Sequence, residues 1–358
     1  MRSSFVTALL CLIATTCAAP APGKDSDCDK TVKPGQSIQK AIDNAKKGDK
    51  IVVEAGEYYE QLTITTDGIQ LIGKGAKLFP PKNYTKNFCT GLSRSFADGS
   101  ETDAGICIHG KGFVLAPYDP KLPEHLKISK VGDYIKNVVV TGFNITGFNG
   151  ENIALIGGKD VKISKNNLVD GTQYGFLTVG SIDTNAENNV ITSSTLSIIA
   201  MCMDDKSGAT FKNNHISNYY IALCGQTPGG ELKKNTVKNC CIGPFIDPGI
   251  KGMKIIENTI TGRNPYCLAK DGAGMVILGA SNTIVERNTF ESIQNNKTGV
   301  GIFISDDPVS GAKASGNVFK KNLFKFNDLD IFNNATTTDN VFRNNECASS
   351  VPDGLCNN

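Results

Sequence analysis

An apolar–x–apolar–x–x–Asn–x–apolar unit returns again and again along this 358-residue chain, and it decides what the chain can become. It can be read at Phe143-Asn144-Ile145, Asn167-Leu168-Val169, Asn189-Val190-Ile191, Asn214-His215-Ile216 and Asn235-Thr236-Val237. It continues at Asn258-Thr259-Ile260, Asn288-Thr289-Phe290, Asn322-Leu323-Phe324 and Asn345. Neighbouring asparagines lie 23, 22, 25, 21, 23, 30, 34 and 23 positions apart. Units this short cannot bury their own apolar residues and must stack on one another, so the period predicts a solenoid. Helical-pair repeats need about 33 to 47 residues, and the fixed Leu pattern of leucine-rich repeats is missing. What recurs is short runs of Val, Ile, Thr and Phe punctuated by Gly and Asn.

One turn reads Val161-Lys162-Ile163-Ser164-Lys165, a corner at Asn166-Asn167, Leu168-Val169, a corner at Asp170-Gly171, then Tyr174-Gly175-Phe176-Leu177-Thr178-Val179. Three strands per turn stack like on like, in parallel, about 4.8 Å apart. The recurring Asn is expected at a corner, in left-handed geometry, with its amide bonded to the Asn above and below. The expected fold class is all-β: a right-handed parallel β-helix with three strands per turn and an N-terminal capping helix.

With this repeat, and with Ser37-Ile38-Gln39-Lys40-Ala41-Ile42 through Gly48-Asp49 followed by Ile51-Val52-Val53-Glu54-Ala55-Gly56-Glu57-Tyr58-Tyr59-Glu60, the sequence resembles the pectin-lyase-like parallel β-helix proteins. The resemblance implies a capping helix, a first strand and a substrate groove along one sheet. It does not imply one activity, because this fold carries lyases, hydrolases, esterases, epimerases and non-enzymes. Gly56 to Glu60 also fits the Gly-x-Tyr-x-Glu pattern of pectin methylesterases, but their Gln-Asp-Thr, Asp-Phe-Ile-Phe-Gly and Leu-Gly-Arg-Pro-Trp motifs are absent. So are the Asn-Thr-Asp, Gly-His-Gly and Arg-Ile-Lys motifs of polygalacturonases and the Trp-based signatures of pectate lyases. The mannuronan epimerase run Tyr-Gly-Phe-Asp-Pro-His is matched only by Tyr174-Gly175-Phe176.

Residues 1–19 read as a secretory signal, with Arg2, the apolar run Phe5 to Ile13 and the small residues Cys17-Ala18-Ala19. The protein is therefore expected to be secreted and extracellular. A linker at 20–30 follows, then the cap and first turn at 31–78, a long loop insertion at 79–131, the repeats at 132–346 and a tail at 347–358. Within the insertion Gly105-Ile106-Cys107-Ile108-His109 reads as one strand of a turn, and His109 and His125 read as structural. Ile38, Ala41, Ile42 and Ala45 at helical spacing, ended by Gly48, predict the capping helix.

Of twelve cysteines, Cys11 and Cys17 fall in the signal, leaving ten in an oxidising compartment. Cys347 with Cys356 and Cys89 with Cys107 are expected disulfides. Cys202 and Cys224 fall on successive turns and can bond or stack as thiols; the pairing of Cys28, Cys240, Cys241 and Cys267 stays open. Four sequons, at Asn83, Asn144, Asn296 and Asn334, are glycosylation candidates, with Asn144 the weakest because it belongs to the repeat.

Lys plus Arg is 37 against 35 for Asp plus Glu, which gives no electrostatic case for nucleic acid or a membrane surface. The expected partner is a polysaccharide or small-molecule substrate, and the expected state a monomer. The long strand of each turn is apolar on both alternating faces, as in Ile199-Ala200-Met201-Cys202 and Met275-Val276-Ile277-Leu278. Either loops cover that sheet or its groove takes something less polar than a uronate chain.

Acids cluster just past this strand: Asp183, Asp204, Asp205, Asp247, Asp306 and Asp307. Asp204 or Asp205 lies two turns from Asp247, roughly 9 to 10 Å away by stacking. Asp247 and Asp306 are separated by the same step. Such pairs suit inverting glycoside hydrolysis. Asp204, Asp205 and Asp247 also suit calcium, the one cofactor the sequence suggests. An enlarged turn brings Arg263, Tyr266 and Lys270, residues that serve as base or charge neutraliser in β-elimination or epimerisation. The expected function is a carbohydrate-active enzyme, a polysaccharide lyase or epimerase before a hydrolase. The alternatives are an enzyme or binder for a small apolar molecule, and a non-catalytic wall or surface protein.

Overall fold

The computed structural model describes residues 30–119, 124–268 and 272–356. Its strands wind into a right-handed parallel β-helix. The turn predicted from sequence has short strands at Lys162–Ser164 and Asn167–Val169 and a long strand at Tyr174–Val179. The first short strand belongs to a 12-stranded parallel sheet. The long strands run in register along the coil, Ile153 on Phe176 on Met201 on Leu223. In the second short strand only the middle residue is buried, and in the first Ile163 is buried with Ser164 after it. Val140, Ile163, Ala186, Phe211, Leu232, Ile255, Val285, Phe319 and Phe342 therefore form one file of like-on-like contacts. The Phe319 and Phe342 rings stack 4.8 Å apart, which is the strand spacing itself. Each such buried side chain contributes about 1.5–3 kcal/mol.

The asparagine ladder holds the expected positions from Asn189 to Asn345 and departs from the expectation in its first two rungs and in its geometry. Its members are Asn166, Asn189, Asn214, Asn235, Asn258, Asn288, Asn322 and Asn345, all buried. Asn144 and Asn167 are instead strand-opening residues on the next position, joined to each other by a 3.3 Å amide bond. Phe143 holds the ladder position below Asn166 and donates its backbone N–H to the Asn166 amide oxygen. The left-handed residue is not the ladder Asn but the one before it: Lys165, Asn188, Asn213, Lys234, Glu257, Arg287, Lys321 and Asn344 have φ of 53–57°. Lysine, glutamate and arginine adopt that conformation only at a cost. The ladder offsets it, since each Asn amide bonds the next Asn and a carbonyl from the turn before.

Helix Ile38–Asp43 caps the open end with Ile38 and Ile42. The Glu60 carboxylate closes the helix start, accepting the Ser37 hydroxyl at 2.7 Å and the backbone N–H of Ile38 and Gln39 at 2.8 and 3.1 Å. The Gly-x-Tyr-x-Glu run thus has a structural account: Glu60 is the helix cap, and the Tyr58 hydroxyl donates to the Glu54 carbonyl. Glu60→Ala is expected to cost about 1–2 kcal/mol in chemical denaturation, while Glu57→Ala, on the exposed side of the same strand, costs under about 0.5 kcal/mol.

The insertion contributes a strand, Ile106–His109, paired between Leu62–Ile64 and Glu151–Ile156. Its described segments on either side also fold over the outer face of the long-strand sheet. Cys89, Leu92 and Phe113 pack there on Ala154, Leu177, Cys202 and Cys224, a second apolar cluster outside the coil. Disulfide Cys89–Cys107 ties the loop down. Cys347–Cys356 closes the tail, and Cys241–Cys267 pins the enlarged turn. Cys202 and Cys224 stack in register as buried thiols, and Cys240 is free and buried. The signal segment, Cys28, Lys270 and the last two residues lie outside the described residues.

Candidate active site

Three files of side chains on the long strands face away from the coil. One runs Tyr174, Ile199, Ile221, Ile242, Ala273, Val300, Leu329. The next runs Leu177, Cys202, Cys224, Phe245, Val276, Phe303, Phe332. The third, at the strand ends, runs Val179, Asp204, Gln226, Asp247, Leu278, Ser305, Asn334 once the register is carried to the strand ends. Of the two options left open by the apolar sequence, the covering loops are present over part of the sheet. The insertion covers the first turns, and beyond it the face is open.

Where the cover ends, a groove of about 550 Å³ opens. Ile199, Ile221 and Phe245 line it, Phe96 and Leu268 come from two different loops, and Glu124, Gln226 and Asp247 supply its polar groups. Gln226 organises those groups. Its amide nitrogen donates to Glu124 Oε2 at 2.6 Å and to Asp247 Oδ2, and its oxygen accepts from Lys127 Nζ at 2.5 Å. Lys127 also reaches Glu124 at 3.0 Å and Asp204 at 3.3 Å. His125 lies between Tyr174, 3.1 Å from its hydroxyl, and Asp204, at 3.0 Å.

The charges follow from this packing. Burial pushes Asp247 up to about 7, and the neighbouring Glu124 carboxylate adds to the shift. Burial also depresses the His125 pKa, with Lys127 adding, against the opposing pull of Asp204. Burial works against the Lys127 ammonium, but Asp204 and Glu124 outweigh it and raise its pKa. Against the same burial, the bonds from His125 and Lys127 hold Asp204 below the usual carboxylate range. The site therefore offers a carboxylic acid able to keep its proton near neutrality, beside a carboxylate and a fixed cation. Two carboxylate oxygens bonded to one amide nitrogen lie no more than two hydrogen-bond lengths apart, under roughly 6 Å.

The other residues singled out from sequence are placed elsewhere. Asp205 turns inward: Oδ1 accepts from Thr178 Oγ1 at 2.7 Å and Ser181 N at 2.9 Å, and burial raises it to about 6. The Asp204–Asp205–Asp247 calcium set is thus not assembled. Asp306 holds a turn, bonded to Thr336, Lys313 and the Ala314 N–H, and these bonds keep it well below its usual range despite desolvation. Asp307 caps its own turn at Ser310. Arg263 donates to the Cys267 and Leu268 carbonyls at 3.0 and 2.8 Å, so it shapes its loop. Tyr266 is 80% exposed at the loop tip, and Leu268 is the residue of that loop that lines the groove.

The sequence gives no site role to Glu124, Lys127 or Gln226, and by sequence alone His125 reads as structural. His109 does sit as a structural histidine, against Phe88 and the Gly110 carbonyl. The only hint for the others is three ionisable residues within four positions, Glu124-His125-Leu126-Lys127, in a long loop.

A family model described as "Right handed beta helix region" matches residues 197–356, and one described as "Periplasmic copper-binding protein (NosD)" matches residues 98–272, each a little under half of the chain. No curated protein matches by sequence. Similar solved structures include an alginate lyase from Paenibacillus sp. strain FPU-7, at 14% identity over 91% of this chain and 96% of that one, TM-score 0.53. They also include PfbA, a surface adhesin of Streptococcus pneumoniae, at 12% identity over 86% and 77%, TM-score 0.58. A tailspike protein of E. coli bacteriophage HK620 matches at 14% identity over 87% of this chain and 62% of that longer one, TM-score 0.54. Among the described residues no group of three or more His, Cys, Asp or Glu is arranged to hold a metal, so the residues present do not fit a copper centre. No helix of the described residues is long and apolar enough to cross a membrane.

Proposed function

For a right-handed parallel β-helix of the pectin-lyase-like fold with this groove, we propose a carbohydrate-active enzyme that hydrolyses a glycosidic bond. The observation that carries the proposal is the convergence of Glu124 and Asp247 on one amide nitrogen of Gln226. Two carboxylates that share one donor atom stand closer than the about 6.5–9.5 Å of an inverting pair, which favours the retaining arrangement of about 5–5.5 Å. Asp247 gives its proton to the leaving oxygen while the Glu124 carboxylate attacks the anomeric carbon and forms a glycosyl ester. Water, deprotonated by the Asp247 carboxylate, then displaces Glu124 and restores both groups. Gln226 is a positioning residue, and Lys127 and Asp204 hold its loop-borne partners.

Elimination or epimerisation of a uronate is less well supported. It needs a base and a cation facing the substrate carboxylate. Lys127 is held protonated between two carboxylates, and Arg263 is engaged by its own loop. A small apolar ligand is the second reading, favoured by the apolar lining of the groove. Secretion is part of the proposal: three disulfides suit an oxidising compartment, and Asn83, Asn296 and Asn334 are exposed for glycosylation.

The test is incubation with neutral and uronate polysaccharides, with and without chelator. New reducing ends without unsaturated-uronate absorbance, unaffected by chelator, are expected. Unsaturated products, or a requirement for calcium, would replace hydrolysis by elimination.

A further inference from the structure

Beyond Phe245 the outward face carries a second hollow of about 490 Å³. Val276, Leu278, Phe303, Leu329 and Phe332 line it, and the Phe303 and Phe332 rings stack 5.4 Å apart. An exposed apolar hollow of this size marks a contact site. Two of the four sequons stand at its edges. Lys297 and Thr298, the second and third residues of Asn296-Lys297-Thr298, are part of its wall. Asn334 ends the strand Leu329–Asn334, two positions past Phe332. We propose that the hollow is the seat of the protein's own N-linked glycans, carried on Asn296 and Asn334, whose core sugars lie over the aromatic rungs and shield them from water. This rests on the secretion reading above and is independent of the acid pair.

The attachment points fit. Asn296 and Asn334 are both exposed, and neither side-chain amide is tied up in a bond among the described residues. Asn296 lies in the turn that feeds the strand Val300–Ser305, which carries Phe303. One glycan therefore starts at the entry of the Phe303 rung and the other at the exit of the Phe332 rung. The chemistry fits as well. A pyranose has an apolar C–H face that stacks on aromatic rings, and each N-acetyl group adds a methyl. Its length is close to the rung spacing of about 4.8 Å, so two core sugars span neighbouring rungs. Tethering makes weak contact sufficient, because the sugars are held at high local concentration. A second copy of the chain would meet glycans on both rims, and a free amphiphile would have to displace them. The sequons at Asn83 and Asn144 contribute no lining residue and serve as controls.

Protein secreted from a glycosylating eukaryotic host should carry N-glycan at Asn296 and Asn334 in glycopeptide mass spectrometry. Binding of the apolar dye anilinonaphthalene sulfonate then compares intact protein with Asn296→Gln/Asn334→Gln protein, both shown folded by circular dichroism. Dye binding should rise at least about fivefold in the double variant and fall back when Phe303→Ser and Phe332→Ser are added. Asn83→Gln should leave it low. Should the double variant not fold, the N-acetyl methyl proton shifts of the intact glycoprotein read the contact instead: ring current moves them upfield, and Phe332→Ala returns them. Export without glycan at these two positions, dye binding unchanged by their loss, or methyl shifts insensitive to Phe332→Ala would overturn the proposal. Failure of the chain to be exported would instead remove the secretion reading, which separates the two failures.

Discussion

Asn235→Ala is expected to destabilise the protein by on the order of 4 kcal/mol or more, measured by urea denaturation. The Asn235 amide oxygen accepts the backbone and side-chain N–H of Asn214, and its amide nitrogen donates to the Phe211 carbonyl and to Asn258. All of these groups are buried, so removing the side chain strips the Asn214 backbone N–H and the Phe211 carbonyl of this partner and takes one bond each from the Asn214 and Asn258 amides, with no route to water. Each costs about 1–3 kcal/mol. Asn167→Ala is the matched control. Asn167 is half-buried beside the ladder and its amide makes one long bond to Asn144. A loss under about 1 kcal/mol is expected there. Equal losses at both positions would show that the ladder is not a cooperative stabiliser of the coil.

Asp247→Asn is expected to lower kcat by about 10²- to 10⁴-fold with little change in KM, because the amide keeps the bond to Gln226 but cannot give up a proton to the leaving oxygen. The wild-type enzyme should lose kcat as pH rises through about 7, where Asp247 ionises and the general acid disappears. The residual rate of Asp247→Asn should lack that limb. Asp306→Asn, by contrast, removes a turn acid and should leave the pH profile as it is.

The fold was legible because a solenoid repeats its physics. The same apolar files, turn residues and polar ladder recur at each rung, so a pattern blurred at one turn is corrected by the next. The one-position slip at Asn166 and Asn167 shows where that averaging fails: two adjacent asparagines satisfy the same pattern, and only the bonded amide distinguishes them. Asp247 and Asp204 could be found because they end the long strand, where register fixes their place. Asp306 satisfied the same criterion, yet its turn folds back on it through Lys313 and Thr336. Glu124, His125 and Lys127 could not be found in the same way. Their loop crosses to rungs about 80 to 100 positions later in the chain, and no periodicity records where a loop lands.

The proposed reaction requires that Asp247 carry a proton near neutral pH, where burial and the neighbouring Glu124 raise its pKa. Infrared difference spectra between wild type and Asp247→Asn, recorded across a pH series, read that proton directly. A protonated carboxyl band present at pH 6 and lost with a midpoint near 7, absent from the variant, is the predicted result. A carboxylate already ionised at pH 5 would contradict the account and remove the proton donor from the proposed reaction.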